Sequence, residues 1–184
     1  MSKEKIQYAD DDHEPVALLL RLRLPSLLIG LSLGLGLSFV TSRFEDVLNK
    51  NIQVAFFIPF VVYLASAVGE QTQSIYARDL KSGKASFRKY LIKESFLGLI
   101  LGLIFSLIIL PIIMIWFGSS KLAYTVCFAT FGAVATAPLI ALLVTELLQL
   151  EHTDPAVGAG PLATVIQDTV SVVIYGFIAS AILL

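Results

Sequence analysis

The chain has 184 residues, of which 57% are hydrophobic and only 15% charged, and its formal net charge is -1, with a mean hydropathy of +0.84. That balance does not suit a water-facing surface, and the near-neutral charge lacks the basic footprint of a nucleic-acid-binding protein. Uncharged runs over residues 24–42, 52–69, 95–120 and 122–145 approach or exceed the ~18-residue threshold for crossing a bilayer. They identify an integral membrane protein and leave no room for a soluble catalytic or nucleotide-binding domain of about 100 residues.

In chain order, residues 1–20 read as a cytoplasmic tail carrying the acidic cluster Asp10, Asp11, Asp12, His13 and Glu14. The tail has neither an apolar core nor a small-residue cleavage site, so no removable signal peptide is expected. Residues 21–184 read as one all-α transmembrane domain of five helices, placed at 22–42, 51–78, 95–118, 122–146 and 155–184. Pro25 suits the first turn of the first helix, and Pro59 and Pro111 are expected to kink the second and third. The connection 78–93 is long and basic and is interrupted by Phe87, Tyr90 and Leu91, which predicts a segment lying partly as a helix on the anionic inner leaflet. Gly118-Ser119-Ser120-Lys121 reads as a tight turn. Cys127, the single cysteine, is read as packing. Gly30 with Gly34, and Gly98 with Gly102, have the spacing that lets helix backbones approach closely, within one subunit or between two. No sheet is expected, because lipid admits only helices or closed barrels.

Orientation follows from the placement of cations. Lys3, Lys5, Arg21, Arg23, Arg78, Lys81, Lys84, Arg88, Lys89 and Lys93 fall on one side, against Arg43, Lys50 and Lys121 on the other. Ten against three puts the N-terminus in the cytoplasm and the C-terminus outside the cell (inner) membrane. The inner loop 146–154 then breaks the charge rule, since it carries Glu146, Glu151, His152 and Asp154 and no Lys or Arg. It reads either as solvated loop charge or as a mouth that concentrates cations.

Asp168 is the most informative residue, because it sits in the middle of an otherwise uncharged stretch, 155–184. An Asp at helix centre costs roughly 2.5–3.5 kcal/mol on insertion scales, so it is expected to face a partner or water rather than lipid. On a helical wheel Pro161, Thr164, Ser171 and Tyr175 all fall within roughly 60° of it, forming a polar stripe. Asp154 lies fourteen positions earlier, roughly 21 Å along an ideal helix. Followed by Pro155, it suits an N-cap, and a capping carboxylate keeps an oxygen for a cation. Gly158, Gly160 and Pro161 loosen the helix between the two acids and expose carbonyl oxygens. The membrane region offers carboxylate, hydroxyl and carbonyl oxygen, with no histidine in a span, which disfavours soft metals. One intramembrane carboxylate per chain is too few for a dehydrated Ca²⁺ cage, whereas Mg²⁺ keeps most of its waters and is held by one or two carboxylates. Two Asp168 side chains brought to a common axis would repel one another unless a divalent cation neutralised both.

The run Asp154-Pro155-Ala156, Gly160-Pro161, Thr164 and Asp168 resembles the signature of the MgtE/SLC41 magnesium transporters. Phe57-Ile58-Pro59, Gly69-Glu70-Gln71, Arg78-Asp79-Leu80 and Lys93-Glu94-Ser95-Phe96-Leu97-Gly98 extend the resemblance from about residue 20 to the end. It implies a homodimer of five-helix subunits with a cation path at the dimer axis, lined by the second and fifth helices. On that basis Asp168 and Thr164 take the central ion positions and Asp154 the cytoplasmic mouth, with Pro161, Ser171, Gly69, Glu70 and Gln71 along the path and Mg²⁺ as the transported, pore-bound ion. Two departures bear on function. The family's Gly-Gly-Asn-x-Gly-Thr-Gln appears as Ala65-Ser66-Ala67-Val68-Gly69-Glu70-Gln71, losing an Asn and gaining an acid, which predicts a changed ion preference. Thr145-Glu146 stands where relatives commonly have a proline, which changes the inner mouth. The chain has no room for the family's cytoplasmic CBS pair, so gating is expected to be absent, supplied by a separate regulatory chain, or performed by the residue 10–14 cluster.

The preferred reading is a channel or transporter that moves hydrated Mg²⁺ or other divalent cations through a dimeric pore in the bilayer. Two alternatives stay open: an exporter coupled to Na⁺ or H⁺, and a non-transporting membrane anchor or regulatory subunit. An enzyme is not expected, since the spans hold no closely spaced acid pair, no HExxH and no nucleophile–base arrangement.

Overall fold

The computed structural model describes residues 12–150 and 155–184, and all regular structure among them is helical. The elements are α1 (Val16–Ser42), a short α2 (Glu45–Lys50), α3 (Ile52–Lys81), α4 (Phe87–Phe117), α5 (Ser120–Leu150) and α6 (Pro155–Leu183). Five of these six are long and apolar enough to cross a membrane, which makes the chain a multi-pass membrane protein. Each of the five holds one internal proline, Pro25, Pro59, Pro111, Pro138 and Pro161 in turn. Each proline lacks the N–H that would bond the carbonyl one turn back, leaving a weak point in the helix.

The bundle is built around α5, which packs on α4, α3 and α6, while α1 lies outside against α6. Small side chains make this close packing possible. Ala129, Ala133, Ala137 and Ala141 recur every fourth position of α5 and are all buried, so neighbouring backbones approach without large side chains between them. Gly98 and Gly102 of α4 serve the same contact: a Cβ on either would stand 2.9 Å from a carbonyl oxygen of α5, that of Ala135 or of Phe131. That GxxxG pair therefore works within the subunit. A Cβ on Gly30 of α1 would meet Pro161 of α6 at 3.9 Å, whereas one on Gly34 would meet nothing within 4 Å. The large apolar residues on the outside, including Leu31, Leu35, Leu103, Leu107 and Phe177, are positions for lipid contact.

Two local expectations are corrected, and one element is added. Helix α1 starts at Val16, after Pro15 in an extended conformation, because 16–20 is an unbroken apolar run of mostly good helix formers. Pro25 is consequently interior and not in the first turn. The connection 78–93 is not a separate surface segment. Helix α3 continues to Lys81 and α4 begins at Phe87, since 87–94 contains no Gly or Pro to stop it, and Gly83 with φ 70 turns the five residues between them. The segment after α1 folds as α2, with Glu45 and Asp46 in its first turn and Lys50 in its last, complementing the helix dipole. Val47 is its buried anchor, and the Phe44 ring just before it lies on Gly176 of α6. The turn at Gly118 (φ 62) is where the sequence put it.

Candidate functional site: a polar face in the spanning bundle

Helix α3 carries Tyr63, Ser66, Ala67, Glu70, Gln71, Ser74 and Ile75 along one wall of an open cavity of ≈ 550 Å³. The positions repeat every three or four residues, so they form one continuous stripe. Glu70 and Gln71 are exposed there. A carboxylate, an amide and three hydroxyls on the outside of a spanning helix are unfavourable against lipid, and they require water or a protein partner.

Asp168 of α6 stands at the edge of this stripe. Ser66 Oγ donates to Asp168 Oδ1 at 2.7 Å, while the carboxyl remains partly exposed. Glu70, one helical turn beyond Ser66, is close enough to act on Asp168 electrostatically. Between these groups the helices touch: Gly69 is buried, and the Gln167 side-chain amide occupies the space that a Cβ at position 69 would need. Gln167 is only 2% exposed, and its Nε2 has no hydrogen-bond partner among the described residues.

The sequence candidates distribute unevenly around this centre. Glu70 and Gln71 line the cavity, whereas Gly69 lies behind them as a packing surface. Thr164 is partly exposed on α6, and Pro161 packs towards Gly30. Ser171 and Tyr175 turn into the subunit, at 1% and 2% exposure, and Tyr175 Oη donates to the Val54 carbonyl at 2.7 Å. The stripe on the wheel divides because Tyr175 stands about 10 Å further along α6 than Asp168, at the depth where the first turn of α3 covers it. Asp154 lies outside the described residues, as do Asp10 and Asp11 of the acidic cluster. Ser66, Tyr63 and Ser74 were missed as site residues. Their signal was available in the sequence, in the three-and-four spacing of polar residues through an apolar span.

Towards the other end of the bundle, two more carboxylates pin α3 to its neighbours. Thr72 Oγ1 donates to Glu94 Oε2 of α4 at 2.8 Å, and Tyr76 Oη donates to Glu146 Oε2 of α5 at 2.5 Å. Both donors are buried. Glu94, Glu146 and Asp168 thus each accept a hydrogen bond that joins α3 to a neighbouring helix, while Glu70 lines the cavity beside Asp168. Among the described residues, no three His, Cys, Asp or Glu side chains come together as a metal cluster. Two carboxylates and a hydroxyl suit a cation that keeps most of its water and is contacted through it.

A family described as "MgtE: Divalent cation transporter" matches residues 58–178. Three relatives carry the name magnesium transporter MgtE. The protein of Bacillus subtilis (strain 168) is 29% identical over 162 residues, covering 86% of this chain and 36% of that protein. The protein of Enterococcus faecalis is 31% identical over 161 residues, with the same two coverages, and that of Thermus thermophilus is 28% identical over 172 residues, 92% of this chain and 38% of its own length. The chain therefore spans little more than a third of these relatives. The matched region contains α4 and α5 in full, with most of α3 and α6 and both edges of the polar face, and the chain belongs to the MgtE family of divalent cation transporters.

Proposed function

We propose that this chain moves hydrated Mg²⁺ across the cell membrane, along a path bordered by the Ser66–Glu70–Gln71 stripe of α3 and the Asp168 face of α6. A second copy of the chain, related by a two-fold axis, closes the path. The observation that carries this reading is the Asp168 carboxyl, held by the lining residue Ser66, beside a ≈ 550 Å³ cavity whose wall carries Glu70, on the side of a lipid-embedded bundle. One subunit leaves that polar face open, and two copies facing each other shield it from lipid while enclosing water.

The transported ion is the compensating charge. Asp168 contributes the central carboxylate, oriented by Ser66, and Thr164 a neighbouring hydroxyl on α6. Glu70 and Gln71 extend the polar wall along α3. The retained hydration shell contacts these groups, so no dehydrated cage is needed. The N-terminus faces the cytoplasm, following the excess of Lys and Arg on that side. The names of the relatives support magnesium as the cargo, and the acid at position 70 supports a divalent over a monovalent ion.

Uptake of Mg²⁺ into liposomes holding a fluorescent Mg²⁺ indicator tests the proposal. Flux that persists without a proton or sodium gradient and is lost in Asp168→Asn is the expected result. Flux that requires either gradient would identify coupled transport. Unaltered flux in Asp168→Asn would overturn the assignment of the path.

A further inference from the structure

A second cavity, of ≈ 300 Å³, opens where α3 turns into α4 and is lined by Lys84, Ser86, Lys89, Tyr90, Lys93 and Glu94, with Ile75 at its edge. Lys89 and Lys93 are one turn apart on α4 and share a face, and Lys84 comes from the turn opposite. None of the three lysines has an ion-pair partner among the described residues. Two acids stand nearby, Asp79, which also attracts Lys84, and Glu94, and both already accept hydrogen bonds. Asp79 accepts from Arg78 Nε at 3.1 Å and from Tyr90 Oη at 2.5 Å, and Glu94 accepts from Thr72. Three cations against two carboxylates that already accept hydrogen bonds leave the cavity net positive, and the Ser86 hydroxyl makes no capping bond that would keep it from a ligand.

Depth identifies what reaches this cavity. Helix α4 has 31 residues, about 46 Å of helix against a hydrocarbon core of about 30 Å. All of its charged residues lie within 87–94, so the uncharged remainder fills the hydrocarbon and the cavity stands at headgroup level. We propose that it is a phosphate site, taking the headgroup phosphate of an anionic phospholipid between Lys84, Lys89 and Lys93. The site depends on α4 spanning the bilayer and not on the ion path, so it stands or falls separately from the transport reading.

The test is native mass spectrometry of the purified full chain given equimolar phosphatidylglycerol and phosphatidylcholine. Wild type is expected to retain phosphatidylglycerol about tenfold over phosphatidylcholine. Lys84→Gln/Lys89→Gln/Lys93→Gln should reduce the preference to parity. The charge-retaining Lys→Arg triple should keep it, as should Arg43→Gln/Lys50→Gln/Lys121→Gln, which removes equal charge at the opposite end. Melting curves of all variants verify that they fold. A preference that survives the Lys→Gln triple would overturn the site. Calorimetric titration with inorganic phosphate separates the sources: binding that the triple variant abolishes, without any lipid preference in wild type, would overturn the lipid assignment in favour of a soluble phosphate. Neither lipid preference nor phosphate binding in wild type would overturn the proposal as a whole.

Discussion

Ser66 Oγ donates to Asp168 Oδ1 across 2.7 Å, joining α3 to α6 beside a cavity that the subunit does not close. A hydrogen bond to a charged group contributes roughly 1.5–3 kcal/mol, and here it also fixes which way the carboxylate points. In the proposed path the second carboxyl oxygen is the one that meets the ion or its water.

Asp168→Asn keeps the shape and removes the charge, so Mg²⁺ flux into liposomes should fall by about tenfold or more, the equivalent of at least ~1.4 kcal/mol. Ser66→Ala keeps the charge and loses the orientation, so its flux should lie between wild type and Asp168→Asn. Equal flux in all three proteins would remove Asp168 from the path.

Glu70 supplies the carboxylate on the cavity wall, one turn from Ser66. Glu70→Gln should raise the Mg²⁺ concentration at half-maximal flux about fivefold, because a divalent ion then faces one carboxylate per subunit in place of two. Discrimination against Na⁺ and K⁺ should weaken in parallel. The check is a flux titration with each cation; an unchanged half-saturation would show that Glu70 borders the cavity without meeting the ion.

Gly69 and Gln167 form the contact that holds this wall in place. The Gln167 amide occupies the position of a Cβ at residue 69, so Gly69→Ala must displace the flexible end of this buried side chain, at about 1 kcal/mol, the low end of overpacking costs. Gln167→Ala removes the obstacle, and the double variant should be more stable than the sum of the single effects predicts. Melting temperatures of the four proteins in detergent measure the coupling. Strict additivity would contradict the contact.

Tyr76 and Glu146 tie α3 to α5 away from the cavity. Tyr76→Phe removes the donor and leaves a partly buried carboxylate without it, which should cost about 1–3 kcal/mol of stability. Glu146→Gln retains an acceptor and should cost less. Neither change touches the cavity wall, so the half-saturation for Mg²⁺ should stay constant while the melting temperature falls. A large shift in half-saturation would place Glu146 on the ion path instead.

Much of this architecture was legible in the sequence because apolar run length reports directly on the bilayer. The five spans and the turn at Gly118 follow from composition alone. Helix ends were less legible: Val16 and Phe87 begin their helices well before the uncharged runs do, because a helix continues through charged residues once it leaves the hydrocarbon. Asp168 was conspicuous as a lone charge, but its partner Ser66 was not, since a serine in a span usually bonds its own helix, as Ser106 does to Leu103. Likewise, the wheel grouped Ser171 and Tyr175 with Asp168, although only the crossing of α3 and α6 decides which of them reach open space.

The remaining prediction concerns the second copy of the chain. Ser74 lies on the cavity stripe one turn beyond Glu70 and Gln71 and is exposed in the single subunit. A two-fold axis alongside this stripe brings like residues of two copies towards each other. In a Cys127→Ala background, which removes the single native thiol, Ser74→Cys should give a covalent dimer in membranes treated with a mild oxidant or a short bifunctional maleimide. Ser38→Cys, on the exposed side of α1, should stay monomeric under the same treatment. Mg²⁺ should speed the Ser74→Cys reaction, because a divalent ion offsets the repulsion between the facing Asp168 and Glu70 side chains. If Ser74→Cys, Gln71→Cys and Tyr63→Cys all fail to cross-link while Ser38→Cys succeeds, the copies meet through α1, and the polar stripe of α3 must be covered by a different chain.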